Sequence, residues 1–153
     1  MAGLLRISEA FVLAFHAMAY LVNSSSRQPV SAAELAQTFR VSEAHLAKVL
    51  QRLARLGLLS SRRGPKGGFV LACDPTQVTL MDIHTAVDGP LDENTCLLGE
   101  HICEPGTCVM EALLRDVQHL VRDQLEKTRL ADLAPQVKGK GQGEPIGAER
   151  AKS

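Results

Sequence analysis

A chain of 153 residues with 3% aromatics and no Trp can bury one core, which Leu, Val, Ile and Ala must then supply. No apolar run is long enough to span a membrane. The start M-A-G-L-L-R-I-S-E-A lacks the basic segment, apolar stretch and small-residue cleavage site of an export signal. A cytoplasmic protein without a membrane partner is therefore expected, one whose cysteines serve metal or redox chemistry more often than disulfides. The net charge of zero hides a segregation: residues 40–68 carry seven bases and one acid, and residues 82–111 carry seven acids and no Lys or Arg. One end of the molecule should attract polyanions and the other repel them.

In chain order, Ser8 can cap a helix to about Val22, with Phe11, Phe15, Met18 and Val22 on one apolar face. N-S-S-S-R-Q-P is a loop. Ser31 and Glu34 form the S-x-x-E pattern that satisfies free N–H groups at a helix start, opening the short helix A-A-E-L-A-Q-T-F. Ser42 caps the next, E-A-H-L-A-K-V-L-Q-R-L-A-R-L, whose Leu46, Val49, Leu50, Leu53 and Leu56 face inward, and Gly57 ends it. Two helices joined by so short a turn predict a helix-turn-helix. L-L-S-S-R-R, the turn G-P-K-G-G and F-V-L-A then predict a β-hairpin, placed as a wing directly after the second helix.

In that arrangement the second helix enters the major groove by its N-terminal end while the wing lies on the phosphates. Ser42, Glu43 and His45 are the candidates for reading bases. Lys48, Arg52, Arg62, Arg63 and Lys66 are the candidates for phosphate contacts, which give affinity and salt dependence.

T-L-M-D caps another short helix that ends at Gly89-Pro90. Three of the four cysteines then fall within C-L-L-G-E-H-I-C-E-P-G-T-C, residues 96–108. Thiolates at this density suit a soft centre, zinc or an iron–sulfur cluster. No C-x-x-C unit of a structural zinc site is present, and three cysteines leave one position for another residue type. Cys73, at the end of the wing, reads as a small buried residue. After Cys108, Met110, Leu113, Leu114, Val117, Leu120, Val121 and Leu125 follow helical spacing over about five turns. That face is too long for so small a chain to cover, so a homodimer through this helix is expected, presenting two recognition helices to a palindromic operator. From Pro135 the chain is rich in Gly and charge, the composition of a disordered tail.

The helix-turn-helix, the wing S-S-R-R-G-P-K-G-G-F-V-L, the segment A-V-D-G-P and the cysteine loop leading into A-L-L-R-D-V together resemble the IscR/NsrR family of bacterial winged-helix iron–sulfur regulators. The resemblance covers residues 1 to about 134. It implies that Cys96, Cys103 and Cys108 hold an iron–sulfur cluster, 2Fe-2S or 4Fe-4S, one per subunit. The family's common spacing is C-x5-C-x5-C; here the outer pair keeps its separation and the middle cysteine is displaced by one residue. For the fourth ligand, one branch of the family uses a histidine three residues after the last cysteine, where this chain has Glu111. Another uses a carboxylate from the first helix of the partner subunit, near which Glu9 stands. His101 is a third option and His16 a remote one.

The fold expected is mainly α with a small β wing: a winged helix-turn-helix DNA-binding domain over residues 1–90, a cluster loop over 91–108, a dimerisation helix over 109–134 and a tail over 135–153. The function expected is a transcription regulator, a repressor, that senses redox state, nitric oxide or iron–sulfur status. The alternative is a cluster-free regulator of the same fold answering to a metabolite, zinc or thiol oxidation. An enzyme is not expected, because the chain has neither a Gly-rich nucleotide loop nor a nucleophile–base constellation.

Overall fold

Each helix start that the sequence marks is realised by a side-chain cap. The computed structural model describes residues 7–24, 28–91, 96 and 108–137. Ser8 accepts from the Phe11 N–H and opens α1 (Glu9–Asn23), Ser31 accepts from Glu34 before α2 (Ala32–Phe39), and Ser42 accepts from His45 before α3 (Glu43–Arg55). Helix α3 closes on a paired C-terminal motif: the Gly57 N–H reaches Ala54 O at 3.1 Å and the Leu58 N–H reaches Leu53 O at 3.0 Å. Gly57 at φ 79 supplies the left-handed residue this closure requires.

The wing follows as strands β1 (Leu59–Arg62) and β2 (Gly68–Leu71), antiparallel, with Leu59 opposite Leu71 and Arg62 opposite Gly68. Val30, in the segment before α2, adds a rung to its inner edge through hydrogen bonds of 3.0 and 2.8 Å with Phe69. This rung needs a residue without a side chain opposite it. A Cβ on Gly68, at φ +152, would lie 2.5 Å from Val30 O and 2.9 Å from Ser31 N. Gly68→Ala should therefore destabilise the fold by about 2–3 kcal/mol. A denaturant midpoint equal to that of the wild type would show that the strand does not approach so closely.

Helix α4 (Leu80–Asp88) begins with a reciprocal capping box between Thr79 and Asp82. Helix α5 (Val109–Lys127) follows Cys108, and the chain then turns back through α6 (Leu130–Leu133) and a 3-10 turn (Ala134–Gln136). The long helix thus stops at Lys127, and Ala134–Gln136, at the start of the stretch read as a tail, is structured. The return is fixed by hydrogen bonds from Leu80 N to Thr128 O (3.0 Å) and from Leu130 N to Val78 O (2.9 Å). Asn23 Nδ2 also donates to Ala134 O and Val137 O.

Met18, Leu35, Leu46, Leu50, Leu53, Leu59, Ile83 and Leu130 lie fully buried in one core drawn from α1–α4, the wing and the return segment. Aliphatic residues form most of it, as the composition requires. His84 is the one buried polar residue among the described ones. Its ring meets the Phe11 ring edge-on at 5.2 Å, and its Nε2 lies 3.8 Å from Asp88. Asp88 accepts from the Ser8 hydroxyl at 2.7 Å, joining the end of α4 to the start of α1. The architecture is mainly α with a small β wing. Among the described residues no helix is long and apolar enough to cross a membrane.

Candidate nucleic-acid interface

Helices α2 and α3 and the wing bring the basic segment onto the surface. Arg40, Lys48, Arg52, Arg55, Arg62, Arg63 and Lys66 are all exposed. None makes an ion pair with a described residue, whereas the bases of α5 are paired: Arg115 with Glu111 at 2.7 Å, and Lys127 with Asp123 at 2.9 Å. Seven exposed cations, none with an ion-pair partner among the described residues, form an electrostatic footprint for a polyanion.

The candidate base readers differ among themselves. Ser42 and Glu43 are exposed at the tip of α3, with Ala44 beside them. His45 is half-buried, and its Nε2 is shielded from solvent with no hydrogen-bond partner among the described residues. On α3 the outward face runs through Ala44, Lys48, Gln51, Arg52 and Arg55. Leu56 departs from the expected inward position: it is 55% exposed. Helical phase ends at Arg55, so the C-cap Leu56 leaves the apolar row and Leu58 turns in toward the core in its place. Leu56 lies instead on an open groove between the end of α3 and α4, lined also by Arg52, Arg55, Leu58, Asp82 and Ala86.

Of the cysteine loop, Cys96 and Cys108 are described and half-buried; neither is in a disulfide. Cys103 and His101 lie outside the described residues. Cys108 occupies the N-cap of α5 without making a side-chain cap bond, at the positive end of a 19-residue helix, where negative charge is favoured. Glu111 is engaged by Arg115. Glu9 is exposed in the first turn of α1, next to the Ser8–Asp88 contact. His16 is tied to its own helix by a 2.7 Å contact from Nδ1 to Val12 O, and it stacks on Phe15 at 4.1 Å. Among the described residues no three His, Cys, Asp or Glu side chains form a metal-sized group. Cys73 is half-buried rather than buried. Burial pushes its thiol pKa up, and the neighbouring Asp74 charge adds to the effect, which leaves it a poor nucleophile.

Along α5, Leu114 and Leu125 are buried and Val121 packs on the core, whereas Met110, Leu113 and Leu120 are 39, 49 and 70% exposed. Among the described residues, one edge of this apolar stripe is buried and the other is open.

Comparison with known proteins agrees with this architecture. A family model described as Rrf2, iron-dependent transcriptional regulator, matches residues 7–136. An HTH-type transcriptional regulator of Aquifex aeolicus is 30% identical over 129 residues, 82% of this chain and 89% of that protein. The HTH-type transcriptional regulator IscR of Serratia proteamaculans is 30% identical over 130 residues, covering 84% and 79%. Among solved structures, CymR, the global cysteine regulator of B. subtilis, superposes with a TM-score of 0.73 at 30% identity, covering 88% of this chain and 99% of that one. The helix-turn-helix, the wing and these matches establish that the chain belongs to the Rrf2 family of DNA-binding transcriptional regulators.

Proposed function

We propose that the chain is a homodimeric repressor that binds palindromic operator DNA and reports redox, nitric oxide or iron–sulfur status through a cluster on the 96–108 loop. The observation that carries the DNA half is the set of exposed, unpaired cations on α3 and the wing. Ser42 and Glu43 read bases at the tip of α3; the shielded ring of His45 makes it the weakest of the three candidates. Lys48, Arg52, Arg62, Arg63 and Lys66 contact phosphates. The open apolar edge of α5 supports the dimer.

The sensing half rests on the donor set. Cys96 and Cys108 are uncrosslinked thiols at the two ends of the loop, and with Cys103 they fit a thiolate-bound centre. A bound cluster supplies a redox- and nitric-oxide-reactive group. The residues of the chain make that group consequential: Cys108 starts α5, and α5 packs on α4, so a centre held at Cys108 bears directly on where α5 begins. Glu111 shares its Oε1 with Arg115, so as a fourth ligand it would bind through its other oxygen or exchange that contact. Glu9 has no such contact among the described residues, so both carboxylates stay candidates for the fourth position.

Protein purified without oxygen should be coloured, with matching iron and sulfide. Cys108→Ala should be colourless yet folded, because that side chain makes no capping bond. A reconstituted wild type that holds only zinc, or no metal, would remove the sensing half and leave the DNA half standing. It would favour a cluster-free thiol or metabolite regulator, the reading supported by the likeness to a cysteine regulator.

A further inference from the structure

The turn between α2 and α3 contains a residue its own backbone does not favour. Arg40 has φ 57 and ψ 45, and among the described residues every other positive φ belongs to a glycine. In this left-handed conformation Cβ crowds the next carbonyl oxygen, so Gly, or Asn, is the relaxed choice.

Nothing among the described residues accounts for an arginine here. The end of α2 is closed by backbone alone: Arg40 N–H reaches Gln37 O at 3.3 Å and Val41 N–H reaches Ala36 O at 3.0 Å, and glycine would keep both. The Arg40 side chain is exposed and has no hydrogen bond or ion pair with a described residue. Its charge gains something from the C-terminal dipole of α2, but that gain is open to any base in the last turn at no backbone cost. A strained residue without a partner among the described residues points to a function outside the fold.

Its place suggests which function. Arg40 stands two residues before Ser42, the N-cap of α3, and so flanks the helix end that enters the groove. We propose that Arg40 is a phosphate contact built into the helix-turn-helix turn, an inference that rests on the DNA-binding orientation argued above. The turn gives up backbone comfort to hold a cation beside the groove.

The test compares wild type, Arg40→Gly, Arg40→Asn and Arg40→Lys on a mixed-sequence duplex DNA across about 50–200 mM salt, with Tm measured on the same samples. Arg40→Gly and Arg40→Asn should lower the salt slope by about 0.9 for each chain bound, and affinity by about fivefold per chain at ~0.15 M salt. Their Tm should be no lower than that of the wild type. Arg40→Lys should keep the slope. If wild type binds and Arg40→Gly matches its slope, or if Arg40→Lys loses the slope, the assignment of Arg40 is overturned. If wild type itself shows no salt-dependent binding, the failure lies with the DNA reading instead.

Discussion

Replacing Arg62, Arg63 and Lys66 together with alanine is expected to lower duplex-DNA affinity at least about a thousandfold at ~0.15 M salt. Each cation that neutralises a phosphate releases counterions, contributing about 0.9 to the slope of log affinity against log salt. Two chains on one operator would remove six such contacts, so the slope should fall by about 5. The wing itself should survive. Its ladder is backbone hydrogen bonding, its anchors are Leu59 and Phe69, and all three substituted side chains point to solvent. Lys127→Ala is the matched control, since Lys127 is already paired with Asp123; it should change neither affinity nor slope. Fluorescence anisotropy across a salt series, with a melting curve for each variant, decides the matter. An unchanged slope in the triple variant would mean that the wing does not lie on the phosphates.

The second large effect concerns assembly. Leu113→Lys combined with Leu120→Lys should convert a dimer to a monomer at micromolar concentration. Met110, Leu113, Val117 and Leu120 recur at alternating steps of three and four, the spacing of a helix–helix seam. Beside them Val121 and Leu125 turn to the protein's own core, and Leu114 is buried. Burying one leucine contributes about 1.5–3 kcal/mol, and four are lost from a two-fold interface, with charges in their place. Neither substitution touches a residue of the core, so the monomer should keep its helix content and melt as a folded protein. Sedimentation equilibrium provides the readout. A variant that still sediments as a dimer would place the interface elsewhere. DNA affinity should fall with dimerisation, since a monomer offers one recognition helix instead of two.

The local parts of this structure were written locally. Ser8, Ser31, Ser42 and Thr79 announce helix starts because a hydroxyl three residues before an N–H is a contact within one turn. Gly57 announces a stop for a similarly local reason. The wing was legible from its turn glycines and its alternation. What escaped depends on distant chain. The Val30 rung on the wing pairs residues almost forty apart, and nothing in Q-P-V-S signals it except Gly68, whose bare backbone makes room. The return segment was missed because Leu130 and Ala134 look unremarkable until α1 and α4 are placed beside them. The inward place expected of Leu56 does not hold because apolar periodicity cannot tell the last turn of a helix from its cap. His45 stands at the tip of α3, yet its ring nitrogen is turned away from solvent, which spacing alone does not encode. The candidate cluster site was legible only as a cysteine count and a resemblance, since much of that loop lies outside the described residues.

The way α5 is fastened has a mechanical consequence. Its C-terminal end is clamped at Thr128 and Leu130, while its other end is Cys108. A helix of 19 residues is an arm of about 28 Å. A rotation of about 5° at the clamp swings the cysteine end through roughly 2.5 Å, since arm length follows from the rise per residue. Metal–thiolate bonds tolerate far smaller displacements, about 0.2 Å. With a metal centre at Cys108, as proposed, the geometry would work as a lever in both directions: a slight change of angle between α5 and the winged domain would be large at the sulfur, and a fixed sulfur position would leave that angle little freedom.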